Sequence, residues 1–329
     1  MIQEIGDHFF MLTLPMPFRL GHVNIFAIIH HKRVFLFDTG IHFPQTMPKL
    51  EEFLNELHLS PARVDRIFIT HYHADHCGVA GEIKRMSGAQ ILASHAGNEI
   101  RQSQKNEGDV IAKIRHFYHE HGMPADLIHA LTELFRHFRK ATVPFDVDVC
   151  LDDGEICSIG DRSFKCITTP GHSRDHMCYY FPGEGILLAG DHVLPDITPN
   201  LSPDLFDRTF RPLKCFLDSL ARIENLPVSK VFPAHGSPYT DLTGRIQAIR
   251  KHHEERKRLT LRALEHGEKT TFQVSHDIFG TDLKEFDEFL ALNETYVHII
   301  ELVEEGLVEE IHRGELISYL GIDSHTVIG

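Results

Sequence analysis

Thr70-His71-Tyr72-His73-Ala74-Asp75-His76 is the stretch from which the rest of the chain is read. Four metal-ligand side chains, His71, His73, Asp75 and His76, fall within six residues, directly after the mainly apolar run 64–69. Neutral imidazoles and a carboxylate suit a borderline divalent ion such as zinc. An α-helix cannot aim all four at one ion. His71 and His73 are two apart and share a face only on extended backbone. Asp75 and His76 then need a turn, and face a second centre. The stretch predicts a strand end or loop holding two neighbouring metals. A lone histidine is more often a surface or core residue than a ligand, but a cluster this dense at a strand end points to metal.

The surrounding sequence alternates strand and helix. Residues 24–29 and 33–38 are short apolar runs separated by His30-His31-Lys32, a hairpin pattern, and the second ends in Phe37-Asp38-Thr39-Gly40. Residues 48–57 carry Leu50, Phe53, Leu54 and Leu57 at helical spacing, with Pro48 suited to the first turn. A strand over 64–70, a helix over 78–87 and a strand over 89–93 follow. Strands return at 147–151, 163–168, 177–181, 185–189 and 231–233. Three of these again end in a polar residue after a turn. Thr168-Thr169-Pro170-Gly171-His172 presents His172, Ala189-Gly190-Asp191 presents Asp191, and Pro233-Ala234-His235-Gly236 presents His235. Each alone reads as turn chemistry. With residues 71–76 they make seven candidate ligands, all at strand ends. Cys77 adjoins the cluster and reads as a small buried neighbour before it reads as a ligand.

The set Asp38, His71-x-His73-x-Asp75-His76, His172, Asp191 and His235 resembles, in order and rough spacing, the motif series of the metallo-β-lactamase superfamily over about residues 5–240. The resemblance implies an α/β fold, a four-layer αββα sandwich with the site at one edge. It implies that His71, His73 and His172 hold one metal, that Asp75, His76 and His235 hold a second, and that Asp191 bridges them. Asp38 would hydrogen-bond a ligand imidazole and fix its orientation. Asp38 and Asp75 are thus the candidate catalytic carboxylates beside the ligands, Asp75 also orienting the nucleophile. Two divalent ions, zinc first and iron or manganese next, would make a water acidic enough to attack as a bridging hydroxide near neutral pH.

That chemistry implies a hydrolase acting on a small ester, thioester or lactone-like substrate. The bridging Asp191 is more like the hydroxyacylglutathione hydrolase branch than true zinc β-lactamases, but no glutathione-binding helical pattern stands out in the C-terminal region. An alternative is a metal-dependent endoribonuclease or phosphodiesterase. A further alternative is a mononuclear iron enzyme like the persulfide dioxygenases.

The remaining sequence bounds the partners. A net charge of −14 argues against nonspecific binding to nucleic acid or anionic membrane. None of the six cysteines forms a Cys-x-x-Cys pair, and residues 1–7 lack a signal-peptide pattern, which predicts a cytoplasmic protein with reduced thiols. Two domains are expected: 1–243, with a helical insertion at about 97–145, and 244–329. In the insertion, Phe117, Phe135 and Phe138 either cover the site or bury the insertion itself. The C-terminal part begins with a helix over 244–267. Residues 245–262 carry seven Arg or Lys and two Glu, a net of +5, and residues 263–329 carry three Lys or Arg and fifteen Asp or Glu, a net of −12. A helix over 293–306 and a hairpin around Arg313-Gly314 make a winged-helix-like module. Its acidity fits packing or homodimer formation better than DNA contact, since phosphate contacts need Lys and Arg.

Overall fold

The computed structural model describes residues 2–17 and 19–322. Seven strands form the first sheet, in the order β1 (Ile2–Gly6), β2 (Phe9–Pro15), β3 (His22–His30), β4 (Arg33–Phe37), β5 (Val64–Phe68), β6 (Gln90–Ser94) and β7 (Val149–Leu151). Five form the second, where β8 (Ile156–Ile159), β9 (Arg162–Thr168), β10 (Met177–Phe181), β11 (Ile186–Gly190) and β12 (Lys230–Pro233) lie in the order β12-β11-β10-β9-β8.

Period-two alternation sorts the first sheet's side chains into two cores. Phe9, Met11, Phe26, Ile28, Phe35, Phe37, Phe68 and Leu92 face Phe164, Cys166, Met177, Tyr179, Phe181, Leu188 and Phe232 of the second sheet. Their alternates Phe10, Leu12, Leu14, Ile25, Leu36, Ile67 and Ile91 pack against Leu50, Phe53 and Leu54 of helix Thr46–Glu56 and Ile83 of helix Ala80–Ser87. Strands buried on both faces read as near-continuous apolar runs, which is how β2, β3 and β4 look in sequence. The inter-sheet core is aromatic. Phe37 stacks on Phe68 with ring centroids 4.9 Å apart, and Phe164 and Tyr179 meet Phe37 edge-on at 5.2 and 5.1 Å. Outside the second sheet, Leu220 and Ile223 of helix Pro212–Glu224 are fully buried, and Arg222 reaches Thr168 O at the end of β9. The fold is the α/β sandwich of two sheets between helices that the motif series implied.

Strand direction gathers the site. β4, β5 and β6 are parallel, as are β11 and β12, and β9 runs antiparallel to β10, which runs antiparallel to β11. Asp38, the 71–76 segment, His172, Asp191 and His235 therefore all leave the carboxyl ends of co-directed strands. The element boundaries differ modestly from the sequence expectation. β5 ends at Phe68, and a four-residue helix, Ala74–Cys77, carries Asp75 and His76. Helices Pro212–Glu224 and Thr271–Phe279 are additional to those expected.

Two compact units emerge, each discontinuous in sequence. One comprises the residues up to Ser103, His137–Pro199 and Ser219–Arg245; the other comprises Gln104–Arg136, Asn200–Asp218 and the described residues from Ile246 onward. Residues Gln104–Arg136, the middle of the expected insertion, thus group with Asn200–Asp218 and the C-terminal segment. Val110, Ile114, Phe117, Tyr118, Ile128 and Leu131 share a core with Leu292, and Phe135 packs on it. Phe117 and Phe135 thus bury the insertion; Phe138 is half-buried. In the same unit, β13 (Lys269–Thr270), β14 (Val308–Arg313) and β15 (Leu316–Gly321) form a sheet in the order β13-β15-β14 beside helices Thr271–Phe279 and Glu285–Glu304. Among the described residues no helix is long and apolar enough to cross a membrane.

Gly78 closes the metal-motif helix onto the loop after β4. A Cβ there would sit 2.3 Å from His42 N, 2.5 Å from Ala74 O and 2.6 Å from Ile41 Cα, all backbone atoms. Backbone cannot swing aside as a side chain can. Gly78→Ala should lower stability by about 1–3 kcal/mol, as overpacking does, and weaken metal retention together with it. Urea denaturation with metal analysis checks this; an unchanged midpoint would show that the loop yields freely.

Candidate metal centre

Asp38 is the anchor of the site. It has a left-handed backbone, φ 59°, which places its carboxylate against the turn after β5. Oδ1 accepts the Thr70 N–H at 2.8 Å, and Oδ2 accepts the Thr70 hydroxyl at 2.8 Å. His76 Nδ1 lies 2.8 Å from the same Oδ2, so it carries the proton and donates. Nε2 of His76 is left with its lone pair. The same logic sets the other rings. The Thr70 hydroxyl spends its proton on Asp38, so His71 Nδ1, 3.1 Å away, donates to Thr70 Oγ1. His235 Nδ1 donates to the backbone carbonyl of His22 at 2.8 Å. In each case the partner of one ring nitrogen frees the other for a metal.

The freed atoms converge on two points. His73 Nδ1 lies 2.9 Å from His71 Nε2 and 3.0 Å from His172 Nε2. A tetrahedral zinc site with Zn–N of 2.0–2.1 Å separates its donors by about 3.4 Å, so this trio needs only a slight spreading to hold an ion. At the second point, His235 Nε2 lies 3.3 Å from Asp75 Oδ2 and 3.3 Å from Asp191 Oδ1, and His76 Nε2 lies 3.7 and 3.5 Å from the same two oxygens. Asp191 presents its other oxygen, Oδ2, at 3.6 Å from His172 Nε2 of the first trio. One carboxylate thus faces both groups.

These groups also fit a cation by what they lack. His76 Nε2, His235 Nε2 and Asp191 Oδ1 are buried with no hydrogen-bond partner among the described residues. An orphaned buried polar atom costs about 1–3 kcal/mol, and three facing one point call for an ion. All seven sequence-derived ligands belong to three-residue groups whose ligand atoms lie within 4.8 Å of one another. Cys77 does not: its Sγ–H donates to His73 O at 3.3 Å, and burial pushes the thiol well up.

Without an ion the charges pair among themselves. Burial lowers the affinity of the His235 ring for a proton, but Asp191 and Asp75 outweigh it and raise its pKa to about 10. Burial would raise the Asp75 carboxyl, yet His76 and His235 hold it at about 2. His76 is likewise held well above its ordinary range, with Asp191, Asp75 and Asp38 overcoming its burial. His71 faces mostly other imidazoles; burial and those rings keep it well below 6.5, hence neutral.

Two supporting residues, His176 and Asn24, were not singled out in the sequence, and Gly190 makes the close backbone approach expected of it. His176, fully buried, accepts the Asp191 N–H on Nε2 at 3.0 Å, its Nδ1 lying 2.7 Å from Thr169 Oγ1. Asn24 donates to Pro233 O and Gly236 O, clamping the His235 loop at 3.1 and 2.9 Å. Gly190 has φ 50°, and a Cβ there would sit 2.5 Å from His176 Nε2. The only available signal was the buried polar pattern Gly171-His172-Ser173-Arg174-Asp175-His176, which does not separate ligand from support.

The comparisons with known proteins agree with this geometry. Residues 18–235 match the family description "Metallo-beta-lactamase superfamily". The probable metallo-hydrolase YqjP of Bacillus subtilis (strain 168) is 25% identical over 314 residues, spanning 94% of this chain and 96% of that protein. The crystal structure of a metallo-beta-lactamase family protein from Thermus thermophilus superposes with a TM-score of 0.84 at 27% identity, covering 96% of this chain and 99% of that one. A protein of Cryptosporiopsis sp. (strain 8999) named as an atrochrysone carboxyl ACP thioesterase is 29% identical over 154 residues, 46% of this chain and 44% of its own length. With the family match running through Asp38, the 71–76 cluster, His172, Asp191 and His235, the chain belongs to the metallo-β-lactamase superfamily and is a metal-dependent hydrolase of that kind.

Proposed function

We propose a dinuclear hydrolase that cleaves a small thioester or ester. The observation that carries it is Asp191, whose two oxygens face two separate imidazole groups. His71, His73 and His172 would hold one ion, Asp75, His76 and His235 the other, with Asp191 common to both. When bound, such a pair supplies Lewis acidity, bringing the pKa of a shared water toward neutrality and polarising a carbonyl oxygen. Zinc suits the donors best, and iron and manganese accept the same set.

The chain's own residues do the positioning. Asp38 and His22 O hold the His76 and His235 rings by their Nδ1 protons, so Nε2 stays aimed at the site. Asp75, with its carboxyl held at about 2 by His76 and His235, is ionised near neutral pH and can orient a water by accepting a hydrogen bond from it. The Asp191 backbone is fixed by His176. The thioesterase name of one relative supports an acyl carbonyl as the electrophile, as does the net charge of −14, which disfavours polyanionic substrates.

Four outcomes are expected. His73→Ala and Asp191→Ala should each lose metal and hydrolysis together while circular dichroism stays native; full activity in either would overturn the ligand set. Tested against acyl thioesters, p-nitrophenyl esters, lactones, bis-p-nitrophenyl phosphate and single-stranded RNA, the purified enzyme should turn over thioesters or esters. Cleavage of the phosphodiesters alone would replace this reading with the nuclease one, and one iron per chain would replace it with a mononuclear oxygenase.

Asp38→Ala should retain the ligands yet cost about 10–100-fold in metal affinity or kcat/KM, the usual effect of freeing a ligating imidazole. Metal titration of that variant measures it, and wild-type affinity would show that Thr70 alone orients the rings.

The fourth outcome concerns the metal-stripped protein and its pH dependence. The His235 pKa is raised from 6.5 to about 10, so its pairing with Asp191 and Asp75 stabilises fully below pH 6.5 and is lost as pH rises toward 10. The melting temperature should fall across that window, and His235→Gln should flatten the fall. A wild-type curve without that slope would mean that the ring is neutral in the stripped site.

A further inference from the structure

A second histidine cluster lies in the other compact unit, where helix Leu242–Leu264 meets helix Glu285–Glu304. Its tautomers can be assigned along a chain. His298 Nδ1 lies 2.6 Å from the Glu294 backbone carbonyl and must donate to it, which leaves Nε2 as an acceptor. His253 Nδ1 is 3.1 Å from that Nε2 and must in turn donate. The lone pair of His253 then sits on Nε2, which is buried and has no hydrogen-bond partner among the described residues. Glu294 Oε1 is buried and unpartnered in the same way. It lies 3.6 Å from His252 Nε2, too far for a hydrogen bond, and 3.9 Å from His298 Nδ1, whose proton is already spent.

An orphaned imidazole and an orphaned carboxylate side by side are costly, since each forfeits its hydration. Arg256 is the other charged group facing the histidines. Its guanidinium lies over the Phe279 ring at 4.4 Å, and no ion pair joins it to Glu294 among the described residues. Burial is the main force keeping the His253 and His298 rings below their ordinary range, so both are neutral, and His253 keeps a lone pair on Nε2 with which to ligate. One ring nitrogen each of His252 and His253 and one oxygen of Glu294 already lie within 4.8 Å of one another.

We propose that His252, His253 and Glu294 bind one divalent transition-metal ion of the zinc type. Two imidazoles and a carboxylate are three of the four ligands such an ion takes, and the half-exposed His252 leaves the fourth position to water. His298 acts behind His253, orienting its ring as a carbonyl or carboxylate does in other histidine-ligated sites. The ion would pin helix Leu242–Leu264 to helix Glu285–Glu304, a structural role independent of the sheet-edge centre. It also answers the two unpartnered atoms that packing alone leaves unexplained.

The test uses full-length protein loaded with zinc and desalted, with elemental analysis as the readout. Glu294→Gln and His252→Ala should each carry one zinc per chain fewer than wild type, and Asp191→Ala should keep the ion that they lose. His252→Ala removes a ring at the surface, so it leaves the core intact if Glu294→Gln proves poorly folded. In the Asp191→Ala background, cobalt(II) should bind with the visible absorption of a four-coordinate nitrogen–oxygen set, and adding Glu294→Gln should abolish it. Equal zinc in wild type and His252→Ala, or no cobalt binding in the Asp191→Ala background, would overturn the proposal.

Discussion

The architecture of the sheet edge hangs on one buried carboxylate. Asp38 takes hydrogen bonds from the Thr70 backbone, the Thr70 hydroxyl and the His76 ring, and so joins the end of β4 to the segment after β5. A non-glycine residue at φ 59° costs on the order of 1–3 kcal/mol. Three hydrogen bonds to a charged acceptor in a buried setting recover that cost. The strain is local and the return is wide. Through Thr70 the proton of His71 is also placed, and through His76 the second ligand group is oriented. Moving this one side chain would change the tautomer of two rings at once.

The site is built to be incomplete as a protein-only structure. Ordinary cores satisfy their buried polar atoms, and the exceptions call for an explanation. Here His76 Nε2, His235 Nε2 and Asp191 Oδ1 are left without hydrogen bonds while the other nitrogen of each of those rings is tied down. Protonating the rings relieves the deficit in part, which is why carboxylates drive the His235 pKa to about 10. Protons and metal therefore compete for the same atoms, and metal loading is coupled to proton release. The parallel strands make this arrangement possible, because their carboxyl ends present five loops at one edge without any one loop crossing a sheet.

Much of this was legible in the sequence because the signals were local and redundant. The apolar runs of β4 and β5 stop ahead of Asp38 and His71, and turn residues mark where His172, Asp191 and His235 emerge. Other features were not local. His176 and Asn24 look like any histidine and asparagine, and only the return of β11 beside β10, or of the His235 loop beside β3, gives them their partners. Helix Pro212–Glu224 was missed because residues 196–211 ahead of it offer no strong start signal beyond Pro212 itself. The insertion was read as an addition to the catalytic sheets because sequence order is the only order a sequence displays. Its apolar face, Val110, Ile114, Phe117 and Leu131, carries no mark saying that Leu292 is its partner.

The charge asymmetry of the C-terminal part shows the same limit in its sharpest form. A helix of net +5 followed by a tail of net −12 reads as two unmatched charged surfaces. Folding brings the signs together. Lys257 of the basic helix pairs with Glu305 of the acidic part at 2.6 Å, while Arg313 with Glu268 at 2.6 Å and Lys269 with Asp277 at 2.7 Å pair within the acidic part. Within the basic helix, Arg258 turns to Glu255 and Arg256 to the Phe279 ring. Exposed pairs of this sort contribute little stability, about 0–1 kcal/mol each, so they do not explain why the unit folds. They do consume the cations that a nucleic acid would need. Nonspecific nucleic-acid affinity grows with the number of phosphates neutralised, and Lys257 and Arg258 are already paired with Glu305 and Glu255. Lys257 and Arg258 of the basic helix are therefore not free for phosphate, which weakens the electrostatic case for a nucleic-acid substrate.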